Sequence, residues 1–146
     1  MQEISRTFEV TAILFERVYD VLMSIHKEMH PCSPVMQEVG AVNRNLWENP
    51  WGRCFIAFDG KLSDACNGRE NVLADIRRAA YAFDDGEYYE HMRRLGFPIV
   101  DIDGRIEGCL GIGAISATLD DRRKDELVSF IASNLANEYK PFDNTI

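Results

Sequence analysis

At 146 residues, with 46% hydrophobic and 27% charged residues, the chain has the length of one domain and an ordinary globular composition, which excludes a disordered protein. Its formal net charge of −8 argues against direct nucleic-acid binding, because such affinity rests on Lys and Arg neutralising phosphates. No apolar run approaches the roughly 20 residues that span a bilayer, and the N-terminus lacks the layout of a signal peptide. We therefore expect a single cytoplasmic domain over residues 1–146, with neither nucleic acid nor membrane as a partner.

The first predicted element is a long amphipathic helix over residues 8–29. Apolar residues recur there at alternating three- and four-residue steps, at Phe8, Phe15, Val18, Leu22, Ile25 and Met29. Ser5 or Thr7 would cap its start, and Pro31 would end it. Further apolar residues widen the stripe to more than one face, so we expect one of its faces to contact another subunit of a homo-oligomer.

The middle of the chain carries weaker signals. Residues 31–51 contain several Pro, Gly and Asn residues and are predicted to be mostly loop, with a short extended segment over 35–42. A short apolar element follows in GRCFIAFDG, then a turn at NGREN and a helix over residues 71–82.

The last third of the chain predicts a β-hairpin and a closing helix. Asp103-Gly104 separates two apolar runs, which indicates a type I′ turn between strands near 96–102 and 105–115. Thr118 or Asp120 is a suitable N-cap for the helix that follows. Its apolar stripe consists of Leu127, Phe130, Ile131 and Leu135.

Two clusters of reactive side chains are candidates for a catalytic site. His26 and His30, with Cys32 close by, have the i, i+4 spacing of metal ligands on a helix, but the segment departs from the H-E-x-x-H pattern and more simply ends an amphipathic helix. A cysteine nucleophile would be Cys54 or Cys109, with a histidine as the base. The histidines available for this are His26, His30 and His91. No C-x-x-C pair is present, and reduced thiols are expected.

Glycines and aromatic residues indicate a binding region more than a catalytic one. The segment GCLGIG lies inside a predicted strand instead of opening a helix, so a phosphate loop is disfavoured. Missing side chains there indicate close approach of a helix or of a ligand. Aromatic residues crowd the middle of the chain and form either a pocket wall or core, at Trp47, Trp51, Phe55, Phe58, Tyr81, Phe83, Tyr88 and Tyr89. Arg94, at the edge of the hairpin, has the fork geometry that binds a carboxylate.

The stretch from residue 76 to 139 resembles the effector-binding domain of IclR-type transcription regulators. The segments IRRAAYAFDDGEY, FPIVDIDGRIEGCLGIGAI and LDDRRKDELVSFIASNLA follow the order of that family's helix, acidic tract, strand pair and closing helix. Upstream, NPWGRCFIAF is similar to a further family segment, in which Gly52 and Ala57-Phe58 occupy the matching positions.

The resemblance implies an α+β fold: a GAF-like antiparallel sheet flanked by helices, which binds a small organic effector, often a carboxylate. Carried over, Glu87 falls on the acidic-tract Glu, Arg94 on a position usually held by Cys or a small residue, and Gly111 and Gly113 on pocket-lining serines. We therefore predict a ligand site, with no cofactor, metal or catalytic residue, formed by Trp51, Cys54, Glu87, Arg94, Gly111 and Gly113.

The resemblance also raises two questions about the extent of the chain. The family has two or more strands between its first helix and the NPWGRCFIAF-like segment, and residues 31–51 are too few to hold them, so part of the sheet would be lost, rebuilt or supplied by another subunit. The family's DNA-reading winged helix-turn-helix domain has no room here either. The sequence is either part of a longer regulator or a stand-alone sensor.

A ligand-sensing module is the leading functional hypothesis, and no catalysis is required for it. Two alternatives stay open. One is an enzyme on the same scaffold that uses Cys54, or a metal at His26, His30 and Cys32. The other is an adaptor protein that has kept the fold and lost the pocket, which the substituted serine positions support.

Overall fold

A six-stranded antiparallel sheet forms the centre of the computed structural model, which describes residues 1–35 and 37–138. The strands are β1 Thr11–Val18, β2 Val21–Glu28, β3 Val42–Asn43, β4 Ala82–Asp85, β5 Met92–Val100 and β6 Ile106–Ile115, in the spatial order β3-β2-β1-β6-β5-β4. The helices are α1 Gln2–Phe8, the 3₁₀ helix η1 Leu46–Glu48, α2 Pro50–Phe58, α3 Gly60–Asp64, α4 Glu70–Ala79 and α5 Asp121–Glu138. None of the helices in these two ranges is long and apolar enough to cross a membrane.

The sheet carries an apolar core on each of its two faces. On one face, Phe15 and Cys109 pack with Trp51 and Phe55 of α2. On the other, side chains of β5 and β6 pack with α1 and α5, among them Leu95, Ile112, Leu127 and Ile131. Successive strand residues point to opposite faces, so Arg94 lies on the α2 face whereas its neighbours Arg93 and Leu95 lie on the α5 face.

The predicted helix over residues 8–29 is wrong, because this segment forms the β1–β2 hairpin. Val18 pairs with Val21, so the chain reverses at Tyr19 and Asp20. Phe15 and Leu22, seven residues apart, reach the same core from neighbouring strands, and a β-bulge after Leu14 shifts the register. The three- and four-residue spacing thus arose from a reversal and a bulge. The only N-terminal helix in the described residues is the short α1.

The β1–β2 hairpin also supplies the strands for which residues 31–51 have no room. Among the described residues of that loop the one strand is β3, Val42–Asn43, in place of the extended segment predicted over 35–42, and it pairs with Leu22 and Met23 of β2. The sheet is therefore complete within one chain, and no strand from another subunit is needed for its six members.

The C-terminal predictions hold with adjusted boundaries. The predicted hairpin is β5–β6, but Val100 pairs with Ile106, so the connection has five residues and is not the predicted type I′ turn. Gly104 alone in that connection has a positive φ, of 79°. Asp120 is the N-cap of α5, since its side chain accepts a 2.8 Å hydrogen bond from the Arg123 amide. The predicted helix over 71–82 is α4, and GRCFIAFDG lies mostly in α2.

Candidate ligand site between the sheet and the 31–41 loop

A cleft of about 190 Å³ lies where the 31–41 loop meets the start of α2 and strand β5. Its walls combine apolar and polar side chains, from Pro34, Val35, Gln37, Asn49, Trp51, Tyr89, Met92 and Arg94. Helix α2 begins at this place because Pro50, whose fixed φ suits a first helical position, follows the extended Asn49. The cleft lies on the α2 face of the sheet, next to the glycines of β5 and β6.

Three glycines explain how α2 and the loop come so close to the sheet. Gly96 pairs with Gly111, and Arg94 pairs with Gly113. A Cβ atom on Gly96 would lie 2.4 Å from the Trp51 Cα, and one on Gly111 would lie 2.8 Å from the Trp51 ring. A Cβ atom on Gly113 would lie 2.4 Å from a methyl group of Val35. A helix, one of the two alternatives that the sequence left open, covers Gly96 and Gly111, and a loop covers Gly113.

Arg94 is the buried charge of the cleft, and its partner is Asp84. The two residues are 3% and 1% exposed. The Nε and Nη2 atoms of Arg94 donate to the same Asp84 oxygen at 2.9 and 2.6 Å. Strands β4 and β5 pair in the register that places these side chains opposite each other. The fork of Arg94 is therefore occupied by a carboxylate of the protein itself.

The remaining contacts of Arg94 are with η1, with Asn49 and with three rings, the most distant of which is Tyr88 at 5.9 Å. Its Nη2 also donates to the Glu48 carbonyl at 3.0 Å, and its Nη1 donates to the Asn49 side chain at 2.7 Å. Its guanidinium carbon lies 5.4 Å from the ring centre of Trp51 and 5.0 Å from that of Tyr89. Four of the five guanidinium N–H groups are used within the described residues, which leaves one N–H of Nη1 for a ligand.

A chain of side-chain amides continues behind the cleft wall. Asn49 donates to the Asn43 side-chain oxygen at 3.2 Å, and the Trp51 indole lies 3.5 Å from the same oxygen. The Nδ2 atom of Asn43 is buried and has no hydrogen-bond partner among the described residues. A buried donor in this state destabilises the fold by about 1–3 kcal/mol unless it is satisfied.

The loop that carries Val35 is tied to the β1–β2 hairpin on both sides of that residue. Thr11 donates from its hydroxyl to the Ser33 carbonyl, and Ser33 donates to the Glu9 carbonyl at 2.8 Å. Lys27 donates to the Val35 carbonyl, and the Ser24 hydroxyl donates to the Glu38 carbonyl. These bonds seat Val35 over Gly113 and close that end of the cleft.

The six predicted ligand-binding residues are only partly brought together. Trp51 and Arg94 line the cleft, and Gly111 and Gly113 lie beneath its Trp51 and Val35 walls. Glu87 points elsewhere, with 58% of its side chain exposed and an ion pair to Arg53 at 3.0 Å. Cys54 is fully buried in the core and is absent from the lining of the cleft.

The cysteines and histidines that the sequence offers as catalytic partners do not form a common site. Burial, together with a hydrogen bond to Cys54, raises the pKa of the Cys109 thiol well above its ordinary value. His26 pairs with Glu28, and the His30 ring accepts from the Cys32 amide, both on or after a strand and not on a helix face. Among residues 1–35 and 37–138, no three His, Cys, Asp or Glu side chains are grouped as a metal site would require.

Sequence reasoning missed two walls of the cleft, Val35 and Asn49, and the ion-pair partner of Arg94. Asp84 was seen only as one acid of an acidic tract, because strand β4 was not predicted and its register alone pairs Asp84 with Arg94. Asn49 precedes a proline, which signals a helix start and would have placed it at the N-terminus of α2. Val35 carries no sequence signal for its role.

Comparison with solved structures shows that one group of transcription regulators shares the fold of this chain. The chain superposes on IclR from Thermotoga maritima with a TM-score of 0.79 and 21% identity, covering 93% of this chain and 62% of that one. An IclR transcriptional regulator from Alicyclobacillus acidocaldarius gives a TM-score of 0.78 at 17% identity, with the same coverage. The C-terminal domain of Escherichia coli KdgR gives 0.74 at 21%, covering 93% and 89%.

The coverage shows which part of these proteins the chain matches. It spans 62% of the length of the first two regulators but 89% of the isolated KdgR C-terminal domain. No family model and no curated protein sequence matches it. The likeness therefore lies in the fold, and this chain has the fold of the C-terminal effector domain of IclR-type transcription regulators.

Proposed function

We propose that this chain is a ligand-sensing module that binds a small organic molecule in the cleft beside Arg94. The observation that carries the proposal is the cleft itself: a cavity between sheet and loop, with one Arg94 N–H and one Asn43 amide donor that have no partner among residues 1–35 and 37–138. Small-molecule sites typically combine apolar walls with a few placed polar groups. Trp51 and Arg94 would contact the ligand, above Gly111 and Gly113.

The cleft favours a compact ligand. Its volume of about 190 Å³ is below the roughly 300–1,000 Å³ of drug-sized pockets. The ligand's apolar part would contact Val35, Trp51 and Met92. An oxygen of the ligand would accept a hydrogen bond from the Nη1 N–H of Arg94 that has no partner among the described residues. A carboxylate provides such an oxygen, although Asp84 already neutralises the guanidinium charge.

Displacement of Val35 offers a way to report that the cleft is filled. A ligand that needs more room would push Val35 off Gly113, and the loop would move against β2, to which Lys27 and Ser24 bind it. Apolar side chains are exposed on the β2–β3 edge of the sheet and in the segments beside it, at Ile25, Met29, Val39 and Val42. We propose that copies of the chain associate there as a homo-oligomer, so that ligand binding changes their packing.

Isothermal titration calorimetry against a panel of small carboxylic acids and neutral metabolites tests the cleft. We expect a binder whose affinity falls in Tyr89→Ala, which removes a ring lying over Arg94, and not in the control Tyr19→Ala, at the distant β1–β2 turn. If no compound in a broad metabolite library binds, or if both variants bind like the parent chain, the cleft is not a ligand site.

Sedimentation velocity tests the association. Ile25→Lys places a charge among the exposed apolar residues and should shift the population toward monomers, whereas Ile102→Lys, on the β5–β6 connection, should leave it unchanged. A monomeric parent chain at all concentrations would contradict the oligomer.

A further inference from the structure

A second cavity lies against η1, and its lining shares no residue with that of the Arg94 cleft. It has a volume of about 480 Å³, and its walls include Arg44, Trp47, Glu48, Cys66, Arg69 and Tyr88. We call it the η1–α4 groove. Its volume falls within the range of small-molecule sites. Both cavities take a residue from the 86–91 connection, Tyr88 for the groove and Tyr89 for the cleft, but η1 lines only the groove.

Two arginines of the groove lack acidic partners. Arg44 and Arg69 form no ion pair with any described residue, whereas buried or half-buried arginines such as Arg53 and Arg93 are paired with carboxylates. Glu48 is the one acid in the described lining. In a chain of net charge −8, two unneutralised guanidinium groups at one cavity form a local positive field.

The aromatic walls of the groove are held in place by a buried arginine. Arg53, 8% exposed, donates from Nε to the Trp47 carbonyl at 2.7 Å. Its guanidinium carbon lies 5.4 Å from the ring centre of Trp47 and 5.7 Å from that of Tyr88. Arg69 lies 4.0 Å from the ring centre of Trp47, so a guanidinium already rests over that ring. The groove therefore presents fixed rings beside a cation.

We propose that the η1–α4 groove binds a small planar aromatic anion. The ring of the ligand would stack against Tyr88, beside the Arg69 guanidinium that covers Trp47, and its phosphate or carboxylate would bind the forks of Arg44 and Arg69.

Calorimetry with three probes tests this assignment on the intact chain. The probes are 1-naphthyl phosphate, inorganic phosphate and 1-naphthol, which carry both features or one of them. We expect naphthyl phosphate to bind at least about tenfold more tightly than either partial probe, a difference of about 1.4 kcal/mol. Equal affinities for all three, or no saturable binding of naphthyl phosphate, would overturn the proposal.

Substitutions test whether naphthyl phosphate binds in the η1–α4 groove. The double variant Arg44→Gln and Arg69→Gln should weaken naphthyl phosphate binding by more than about tenfold. Arg105→Gln, at an exposed arginine of the β5–β6 connection, is the matched control and should bind like the parent chain. Tyr89→Ala should also leave this binding intact, because Tyr89 belongs to the other cavity.

A phosphotyrosine peptide distinguishes a small-molecule site from a peptide surface. It should bind no more tightly than naphthyl phosphate if the groove accepts only a ring and an anion. Much tighter binding that depends on the flanking residues would overturn the small-molecule assignment in favour of a peptide partner, and unchanged affinity in the double arginine variant would place the ligand elsewhere.

Discussion

The buried pair of Arg94 and Asp84 sets the stability of the Arg94 cleft. Removing one member of a buried ion pair leaves an uncompensated charge, which typically destabilises a protein by about 3–5 kcal/mol. We expect Asp84→Asn to lower the free energy of unfolding by that amount in urea denaturation, because both side chains are almost fully buried.

An exposed pair of the same type provides the control for Asp84. Asp75 contacts Arg78 at 3.2 Å, with 71% and 77% of the side chains exposed. Asp75→Asn should change the unfolding free energy by less than about 1 kcal/mol, since solvent screens exposed pairs. Similar effects of the two substitutions would mean that burial does not strengthen the Arg94–Asp84 pair.

Cys109 links the stability of the fold to alkaline pH. Burial raises the pKa of its thiol above the unfolded value of about 8.5, so the folded chain holds this proton at a pH where the unfolded chain has lost it. Stability is fully present below about pH 8.5 and falls above it, by up to about 1.4 kcal/mol per pH unit. Urea denaturation from pH 7 to 10 should show this loss.

Substitutions assign that alkaline loss to one thiol. Cys109→Ala should flatten the part of the pH profile that begins near about pH 8.5, whereas Cys32→Ala, at an exposed thiol, should leave the profile unchanged. An identical slope in Cys109→Ala would show that other groups cause the loss.

At the scale of elements, the contact between α2 and β5 depends on Gly96. Its Cβ position lies 2.4 Å from the Trp51 Cα and 2.5 Å from the Trp51 nitrogen, so an added methyl group meets backbone and not a movable side chain. Gly96→Ala must push α2 off the sheet, and we expect a destabilisation of about 1–3 kcal/mol or more by thermal denaturation.

Gly60 is the matched control, because no atom lies within 4 Å of its Cβ position and it begins helix α3. Gly60→Ala should be neutral or stabilise by up to about 1 kcal/mol, since alanine favours helix. If both substitutions proved neutral, the close approach of α2 to the sheet would not be rigid.

The β1–β2 turn carries a strained tyrosine. Tyr19 is 89% exposed and has a φ of 55°, in the left-handed region that favours glycine, at the first position of a two-residue connection. Tyr19→Gly should stabilise the chain by about 0.5–1 kcal/mol, whereas Tyr19→Ala, which keeps the strain, should not. Equal melting temperatures of the two variants would contradict this account.

Elements with local signals were predictable from the sequence, and elements set by distant partners were not. The β5–β6 hairpin and α5 follow from Asp103-Gly104 and from the Asp120 cap, which act over a few residues. The β1–β2 hairpin was mistaken for a helix because its turn, Tyr19-Asp20, lacks the usual glycine and its bulge imitates helical spacing. Strand β4 has four residues, too few for a periodicity signal.

The residues of the candidate site also differ in whether their signals in the sequence are local or depend on distant partners. The crowding of aromatic residues in the middle of the chain includes Trp51, and the position of Arg94 at the edge of the hairpin singles it out; both line the cleft. Their partners come from segments far apart in the chain: Val35 from a loop, Asn49 from a helix start and Asp84 from a short strand. Only the register of the sheet brings these together, and register depends on the whole set of strand pairings.

At the scale of the whole molecule, charge is unevenly divided. The chain carries 24 acidic against 16 basic residues, yet its two cavities beside η1 are lined by arginines. Asp84 neutralises Arg94, whereas Arg44 and Arg69 form no ion pair with a described residue, so the η1–α4 groove is the more positive of the two cavities.

The pairing of β1 with β6 has a consequence for biosynthesis. Thr11 pairs with Gly113 and Glu16 with Gly108, so the centre of the sheet joins the beginning of the chain to its last strand. A ribosome completes β1 long before β6 emerges, and until then one side of the first hairpin has unpaired N–H and C=O groups. The nascent chain must keep this open edge of β1 from pairing with a neighbouring polypeptide. In a translation product that ends before β6, the edge stays unpaired permanently.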